Sequence, residues 1–276
     1  MAYIENYFNF TLSSLTTATH TITGLTSATS STSVSYVSEE ASLLFAKAIY
    51  QTLKDGGLDA TLDESTYKIT VLGFSFFVLG VSAASSITRL YMRIYPVSSS
   101  TALDTSTSSY TYMNTASKSA TVAFYLKLRC NEDAFTLNYS GQNVNTMDSQ
   151  AIAVCRGVSL ITGEYAWTYG SYINYSNKVV LSSDIYTANT LNSSYDENFI
   201  YDGAGLNTDS LISCAPTIVW YKSIYIPSII GASKSCITGG QYYQIGNEIY
   251  WAAGYKTSTS SSTAYNAGGA CPLIRI

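Results

Sequence analysis

The sequence predicts a mainly β, antiparallel, sandwich-like fold with one N-terminal amphipathic helix and an extended N-terminal arm. From residue 67 onward, short alternating apolar and polar runs are bounded by Ser, Thr, Asn and Gly, which is typical of strands joined by turns. Helical periodicity is convincing only over residues 38–55. No fixed-period repeat occurs, which disfavours solenoids and propellers. The 276 residues suffice for one large β domain or two smaller ones.

The first predicted region is the arm, residues 1–37. Of the 25 positions in residues 11–35, 16 are Ser or Thr, and between Asn6 and Ser38 there is no charge other than a possible one on His20. Threonine favours extended chain, but a segment with so few apolar residues cannot form a core alone. We expect the arm to lie on a neighbouring subunit by strand addition, with a disordered tail as the alternative.

The second predicted region, residues 38–186, begins with the helix. Ser38 is suited to cap it, Glu39 and Glu40 favour its first turn, and Gly56 and Gly57 end it. The residues that recur at helical spacing are Ala41, Leu44, Phe45, Ala48, Ile49 and Leu53. This apolar face predicts a helix that packs on a sheet.

Strands follow the helix in the same region. Residues 89–95 alternate cleanly, with Pro96 as the predicted end and residues 97–119 as an exposed loop. Residues 122–129 and 135–139 flank the turn 131–133 and predict a hairpin. Residues 151–161 predict a central strand, which turns at Thr162 and Gly163 into a strand whose outer face is aromatic.

The third predicted region is residues 187–276, because residues 187–216 are rich in turn-forming residues. Residues 217–230 are strand-like. Residues 242–245 and 248–251 flank Gly246 and Asn247, which is a strong signal for a two-residue hairpin. Residues 272–276 predict a last short strand.

Composition limits the partners. Charged residues make up 12% of the chain, the net charge is −4, and no basic cluster occurs, so we expect no nucleic-acid partner. Residues 69–88 carry no charge, but Gly73 and Gly80 interrupt them and β-branched and aromatic residues favour a buried strand over a membrane helix. The first ten residues do not resemble a signal peptide, which favours synthesis in a cytoplasm.

The five cysteines show no spacing typical of a zinc site. Cys130 and Cys155 lie in predicted strands and are expected to be buried thiols. A disulfide among Cys214, Cys236 and Cys271 stays open, although the odd total argues against a complete disulfide framework.

Motifs for catalysis are absent from the sequence. His20 is the sole histidine, and no nucleophile elbow, P-loop or dinucleotide-binding motif occurs, so we expect neither an enzyme nor a cofactor. A carboxylate glycosidase remains an alternative. Its candidate acids are Glu132, Asp133, Glu164, Asp196, Glu197 and Asp202. Calcium binding is a second possibility, since several side chains could supply oxygen ligands. These candidates are Asp196, Glu197, Asp202, Asn207 and Asp209. Their spacing matches no standard calcium-binding loop, and we expect no metal.

Aromatic residues are the main candidates for contact with a partner. Tyrosine occurs 25 times, and its ring and hydroxyl suit both protein interfaces and stacking on sugars. The candidate interface or glycan contacts are Tyr91, Tyr95, Tyr165, Trp167, Tyr169 and Trp251. Trp220, Tyr243 and Tyr250 could also stack on sugar rings. The alternative for all of these aromatic residues is packing between sheets.

The C-terminal pattern GGQYYQIGNEIYWAAG, followed by a Gly/Ser loop and PLIRI, resembles terminal hairpins of virion proteins from phages of Gram-positive hosts. The run from YLKLRCNEDAFTLNY to AIAVCRGVSLITGEYAW is similar in texture to their tail and neck proteins. The resemblance covers about half the chain and implies a non-enzymatic structural protein of a tail, neck, baseplate or capsid, made in the host cytoplasm. It implies homo-oligomers and contacts with other virion proteins. A glycan-binding or receptor-binding adhesin of a virion is the alternative.

Overall fold

The computed structural model describes residues 2–12, 18–21, 33–82, 89–99, 102–103, 109–115, 121–140, 151–171, 178–181, 199–200, 214–219, 224–233, 242–252 and 270–275. They form one helix, α1 (Glu39–Asp55), and twenty strands. The strands are β1 (Ala2–Thr11), β2 (Ala18–Thr21), β3 (Ser33–Ser38), β4 (Ala60–Asp63), β5 (Lys68–Val71), β6 (Phe74–Ser82), β7 (Arg89–Ser99), β8 (Ala102–Leu103), β9 (Ser109–Thr115), β10 (Thr121–Cys130), β11 (Ala134–Ser140), β12 (Ala151–Ser159), β13 (Tyr165–Ser171), β14 (Lys178–Leu181), β15 (Phe199–Ile200), β16 (Cys214–Val219), β17 (Ile224–Ser233), β18 (Tyr242–Ile245), β19 (Glu248–Ala252) and β20 (Ala270–Arg275). The predicted mainly β, antiparallel fold with one amphipathic helix is confirmed.

The chain divides into two compact units. The first comprises Ala2–Arg129 and Leu137–Ile152, and the second comprises Cys130–Thr136 and Ala153–Ile276. The predicted boundary after residue 37 falls inside the first unit. The predicted boundary before residue 187 lies outside the described residues.

The first unit contains parts of two sheets. In one, β1 is the end strand and pairs with β10, which pairs in turn with β11. The other has the order β2-β3-β6-β5-β4, with β7 on the opposite edge of β6 and with β8 and β9 on β7. Helix α1 contacts β6 and β4 of the second of these sheets and β1 of the first, so it lies between them. The arrangement is a sandwich with a helix in its core.

The predicted N-terminal arm is extended, as expected, but its described strands pair within the chain. β1 pairs with β10, and β2 pairs with β3, which pairs with β6 at Ser38 and Gly80. Contact of the arm with a neighbouring subunit stays a prediction.

Helix α1 begins and ends where the sequence predicts. The Ser38 hydroxyl accepts a hydrogen bond from the Ala41 N–H at 3.3 Å. At the other end, the Gly56 and Gly57 N–H groups donate to carbonyls of the last turn, and Gly57 has φ +80°. These caps satisfy backbone groups that a helix end leaves without partners.

The helix approaches β6 closely at Gly80. The Gly80 N–H donates to the Ser42 hydroxyl at 2.9 Å, and this hydroxyl donates to the Ser38 carbonyl at 2.6 Å. A Cβ on Gly80 would lie 2.6 Å from the Ala41 Cβ. Only glycine at this position permits the observed distance between helix and strand.

The opposite side of the helix contacts β1 and β10 through aromatic rings. The Phe45 ring lies 5.3 Å from that of Phe124 and 6.0 Å from that of Phe10, measured between centroids. Nearby, the Asn6 amide of β1 donates to both Thr52 and Asp55 of the helix at 3.0 Å. Apolar packing and these side-chain hydrogen bonds together fix β1 against α1.

Residues 69–88, whose length would suit a bilayer, form strands where they are described. β5 pairs with β4 and β6, and the turn between β5 and β6 places Leu72 and Gly73 at positive φ. β4 itself was not predicted. Within the described ranges, no helix is both long and apolar enough to cross a membrane.

Strand β7 shows the predicted alternation but does not end at Pro96. Leu90, Met92 and Ile94 are buried on one face. Beyond Pro96 the strand continues to Ser99, and β8 and β9 pair with it inside the predicted loop. Pro96 is paired with Phe76 of β6, and the described pairing of β7 with β9 runs from Arg89 to Ile94.

The second unit contains the strand order β12-β17-β20-β19-β18, with β13 on β12, β14 on β13, and β16 between β15 and β17. The strand-like stretch 217–230 contains parts of two strands, β16 and β17, and the register of their pairing shifts between Pro216 and Thr217. The predicted hairpin from β12 to β13 is confirmed, but its turn starts earlier. Leu160 and Ile161 are consequently exposed turn residues rather than strand residues.

The hairpin of β18 and β19 has the predicted register. Tyr243 pairs with Tyr250 and Ile245 with Glu248, and the turn residue Gly246 has φ +61°. A positive φ at the first of two turn residues is the pattern of a type II′ turn, whose twist matches that of the strands.

The cysteines have distinct environments. Cys130 and Cys155 are buried, as predicted. Cys214 and Cys271 are both paired with Ala232, from the two strands that flank β17. Their Cα atoms are therefore two strand spacings apart, about 9.5 Å, which exceeds the reach of a disulfide. Cys236 lies outside the described residues.

We predict that Gly80→Ala destabilises the chain by roughly 1–3 kcal/mol, because the new methyl group overlaps the Ala41 side chain. Urea denaturation followed by circular dichroism measures the change. The control is the same substitution in an Ala41→Gly background, where the closest contact is absent and the cost should fall. An equal cost in both backgrounds would contradict the steric explanation.

The turn between β4 and β5 predicts a pH effect. The Asp63 carboxylate accepts from the Ser65 N–H at 3.0 Å and from the Ser65 hydroxyl at 2.7 Å. Hydrogen bonding by Ser65, first of all by its hydroxyl, lowers the pKa of Asp63 from 3.8 to about 2. Since the folded pKa is the lower one, its contribution to stability is present above about pH 4 and lost as the pH falls through about 2. Carboxyl NMR titration should find this pKa, and Ser65→Ala should raise it. An Asp63 pKa near 3.8 in the unaltered chain would refute the assignment.

Candidate assembly surface

The outward side of β1 and β10 carries an exposed set of aromatic and charged side chains. Along β1 the exposure alternates residue by residue, with odd-numbered residues facing outward. We define the tyrosine face as Tyr3, Glu5 and Tyr7 of β1 together with Tyr125 and Lys127 of β10. Tyr3 and Tyr7 are 49% and 52% exposed, so about half of each ring is open to solvent.

Side-chain contacts fix how β1 lies along β10. Thr11 faces Thr121, with hydroxyl oxygens 3.4 Å apart, and the Tyr7 and Tyr125 rings lie 4.6 Å apart. Glu5 contacts Lys127 across the same pair. Residue numbers fall along one strand as they rise along the other, so the pairing is antiparallel. These opposed side chains form a continuous row across two strands.

The charges within the tyrosine face are paired with each other. Lys127 Nζ lies 3.2 Å from Glu5 Oε1, and the Tyr3 hydroxyl donates a hydrogen bond to the same carboxylate oxygen. The hydrogen bonds from Tyr3 and Lys127 hold the pKa of Glu5 below its usual range. Burial, together with the hydrogen bond to Glu5, raises the pKa of Tyr3. The face is therefore locally balanced in charge.

A buried arginine supports one end of the tyrosine face. Arg129 is 4% exposed, and its guanidinium donates to the Asn138 side-chain carbonyl at 3.0 Å. The Arg129 guanidinium carbon lies 5.5 Å from the centre of the Tyr3 ring, which is within range of a cation–π contact. Tyr3 is thus held in place by a residue that is itself anchored.

The six predicted contact residues differ in exposure. Tyr165 is exposed, and Tyr91 and Trp167 are partly exposed. The expectation is wrong for Tyr95 and Trp251, which are 2% and 1% exposed. Tyr95 is paired with Phe77 of β6, and Trp251 is paired with Tyr242 of β18 and Ile274 of β20. The side chain of Tyr169 lies outside the described residues.

The predicted acids at the β10–β11 turn belong to a charged cluster of the second unit. Arg156 contacts the Asp133 carboxylate through Nε at 3.1 Å and Nη2 at 2.7 Å. Arg275 lies 3.9 Å from the other oxygen of Asp133 and 3.8 Å from Glu132. The arginines hold the turn against β12 and β20, which is a structural role for Asp133.

Asn131 completes this cluster. Its side-chain oxygen accepts from the N–H groups of Asp133 and Ala134 at 2.8 Å, and its amide donates to the Arg275 carbonyl at 2.7 Å. The Arg156 guanidinium also lies 5.2 Å from the ring centre of Tyr165. The polar network is therefore continuous with the exposed ring of β13.

No cluster of three or more His, Cys, Asp or Glu side chains suitable for a metal lies in the described part of the chain. Asp196, Glu197, Asp202, Asn207 and Asp209, the calcium candidates, lie outside it. The backbone of His20 lies in β2, paired with Val34. Of the remaining acids, Glu164 caps the β12–β13 turn through its carbonyl, which accepts from the Ser159 N–H at 2.8 Å.

The residues that sequence reasoning missed are Tyr3, Tyr7 and Tyr125. Residues 2–11 were assigned to the arm because of the Ser/Thr tract that follows them. A signal was present, since Ile4, Phe8 and Phe10 alternate with Tyr3 and Tyr7 as in a half-buried strand. Tyr125 alternates in the same way with the apolar residues of β10.

We predict that Asp133→Ala lowers the free energy of unfolding by roughly 1–3 kcal/mol, because Arg156 loses the carboxylate oxygen to which its Nε and Nη2 both donate in a partly buried site. The matched control is Glu132→Ala, the adjacent acid, whose side chain is 82% exposed. It should change stability by less than about 0.5 kcal/mol. Thermal and urea unfolding measure both variants, and equal effects would contradict the assigned role of Asp133.

No protein-family model, curated protein or solved structure matches the chain. No site residue or activity is therefore transferred to it from another protein. The proposal that follows depends on the composition of the chain and on the contacts and exposure of the tyrosine face.

Proposed function

We propose that this chain is a non-enzymatic structural protein that assembles with copies of itself through the tyrosine face, as a component of a bacteriophage tail, neck, baseplate or capsid. The observation that carries the proposal is the half-exposure of Tyr3 and Tyr7, which lie on the same face of β1 on either side of Glu5. Tyrosine is enriched in the buried centre of protein interfaces, where it fills pockets with its ring and hydrogen-bonds with its hydroxyl.

The electrostatics of the face favour coverage by protein. Burying an unpaired charge is costly, whereas a charge that keeps its partner loses less on leaving water. On the tyrosine face, Lys127 and Glu5 remain 3.2 Å apart and need no new partner from a second copy. Across the whole chain only 12% of residues are charged, so long-range repulsion between copies is weak.

The assignment to a virion is supported by the textural resemblance of the chain to phage tail and neck proteins. A structural protein of this kind acts through repeated contacts, and a low-charge surface rich in hydroxyls suits that role. Genes for capsid or tail proteins beside the gene for this chain are the expected observation. Neighbouring genes of an unrelated metabolic pathway would count against the virion assignment.

We predict that the purified chain self-associates in a concentration-dependent manner and that Tyr3→Ser with Tyr7→Ser weakens this association by about tenfold or more. Size-exclusion chromatography with light scattering measures the association. The matched control is Tyr242→Ser, which removes a ring of similar exposure, 48%, from a strand outside the face. It should leave association unchanged within about twofold.

A chain that stays monomeric up to high micromolar concentration would contradict self-assembly. An equal loss of association in the control and in the double variant would contradict the role of the tyrosine face. Circular dichroism of each variant confirms that the fold is retained.

A further inference from the structure

The edge of β1 offers a second feature besides its tyrosine face. Among the described strands, β1 pairs with β10 only and ends its sheet. The strand has ten residues and contains no proline, lysine or arginine, which are common devices that block pairing at an exposed edge. The backbone N–H and C=O groups of that edge are suited to receive another strand.

The inward side of β1 also lacks full coverage. Ile4, Phe8 and Phe10 face the helix side of the sheet, yet each remains only partly buried. Apolar residues in the interior strands of this unit, such as Phe124 and Leu126 of β10, are fully buried. A strand added beside β1 would cover these rings on their open side.

The sequence of β1 is self-complementary about Asn6. Its inward residues are Ala2, Ile4, Asn6, Phe8 and Phe10, so two apolar residues lie on each side of one polar residue. An antiparallel pair of two β1 strands centred on Asn6 places Ile4 opposite Phe8 and leaves no apolar side chain opposite a polar one. Shifting the centre by one residue in either direction places Asn6 opposite an apolar residue.

The outward residues are compatible with the same register. Centring on Asn6 sets Glu5 of each copy opposite Tyr7 of the other, and Tyr3 opposite Asn9. No like charges oppose each other, and the Tyr7 hydroxyl can donate to the carboxylate. A contact that is the same from both sides closes as a two-fold dimer.

We infer that the chain forms a two-fold dimer by antiparallel pairing of β1 with β1 of a second copy, in the register centred on Asn6. This inference rests on the proposed function and specifies its first contact. The sheet that contains β1 in one copy is then continuous with the same sheet of the second copy. The tyrosine faces of both copies then lie on one side of the joined sheet, where larger assemblies can form.

The register makes a prediction that depends on the sign of charge. Tyr7→Glu places a carboxylate opposite Glu5 of the partner twice in the dimer, whereas Tyr7→Lys places an ammonium group there. Both variants lose the same ring. We expect Tyr7→Glu to dimerise about tenfold more weakly than Tyr7→Lys at low salt, and this ratio to shrink at high salt.

Position 9 provides the matched control. In the same register Asn9 lies opposite Tyr3, so Asn9→Glu and Asn9→Lys should differ by less than about threefold. Sedimentation equilibrium gives all four dissociation constants. Equal constants for the two Tyr7 variants would overturn the register, even if the chain assembles and the tyrosine face is required. A monomeric unaltered chain would instead refute the proposed function itself.

Hydrogen exchange separates edge pairing from contact through the face alone. Edge pairing forms hydrogen bonds to every second N–H of β1, so alternate amides of residues 2–11 should gain protection when the chain dimerises. Protection of none of these amides in the assembled state would refute the inference. Hydrogen exchange of the unaltered, full-length chain is measured at concentrations below and above the dissociation constant of the dimer.

Discussion

The close contact between α1 and β6 at Gly80 determines the arrangement of the first unit. With no Cβ at this position, the helix approaches until the Gly80 N–H reaches the Ser42 hydroxyl. The opposite side of the helix then presents Phe45 to Phe124 and Phe10. These rings fix the inward faces of β10 and β1, and the strand period of two turns Tyr3 and Tyr7 outward. The tyrosine face thus depends on a glycine in another sheet.

The predictable parts of the fold are those with strong local signals. The caps of α1, the alternation of β7 and the turn at Gly246 each depend on a few neighbouring residues, and each was predicted correctly. The strands that were missed depend on distant partners. β2 and β3 are short and rich in Ser and Thr, and each pairs with a strand outside its own segment's local pattern, β2 with β3 and β3 with β6. Pro96 was taken as a strand end, but β7 continues beyond it to Ser99.

The residues of the tyrosine face were not identified from the sequence. Tyrosine abundance drew attention to aromatic residues, but the residues chosen lie in or beside the strongest strand patterns. Two of them, Tyr95 and Trp251, are buried. Tyr3 and Tyr7 lie on an end strand, where half of each ring stays open. Whether a strand is central or terminal is set by topology, which residue alternation does not encode.

The pairing of β1 with β10 has a consequence for folding kinetics. Thr11 and Thr121 are 110 residues apart in the chain, so β1 joins its sheet only after a long loop closes. Local hairpins such as β4–β5 need no such closure. Until β1 arrives, the edge of β10 stands vacant and is able to accept the same segment from another molecule. Pairing of β10 with β1 of another molecule competes with the slow closure of the chain's own loop. Because this competing pairing depends on concentration, the yield of correctly folded chain falls as the protein concentration during refolding rises.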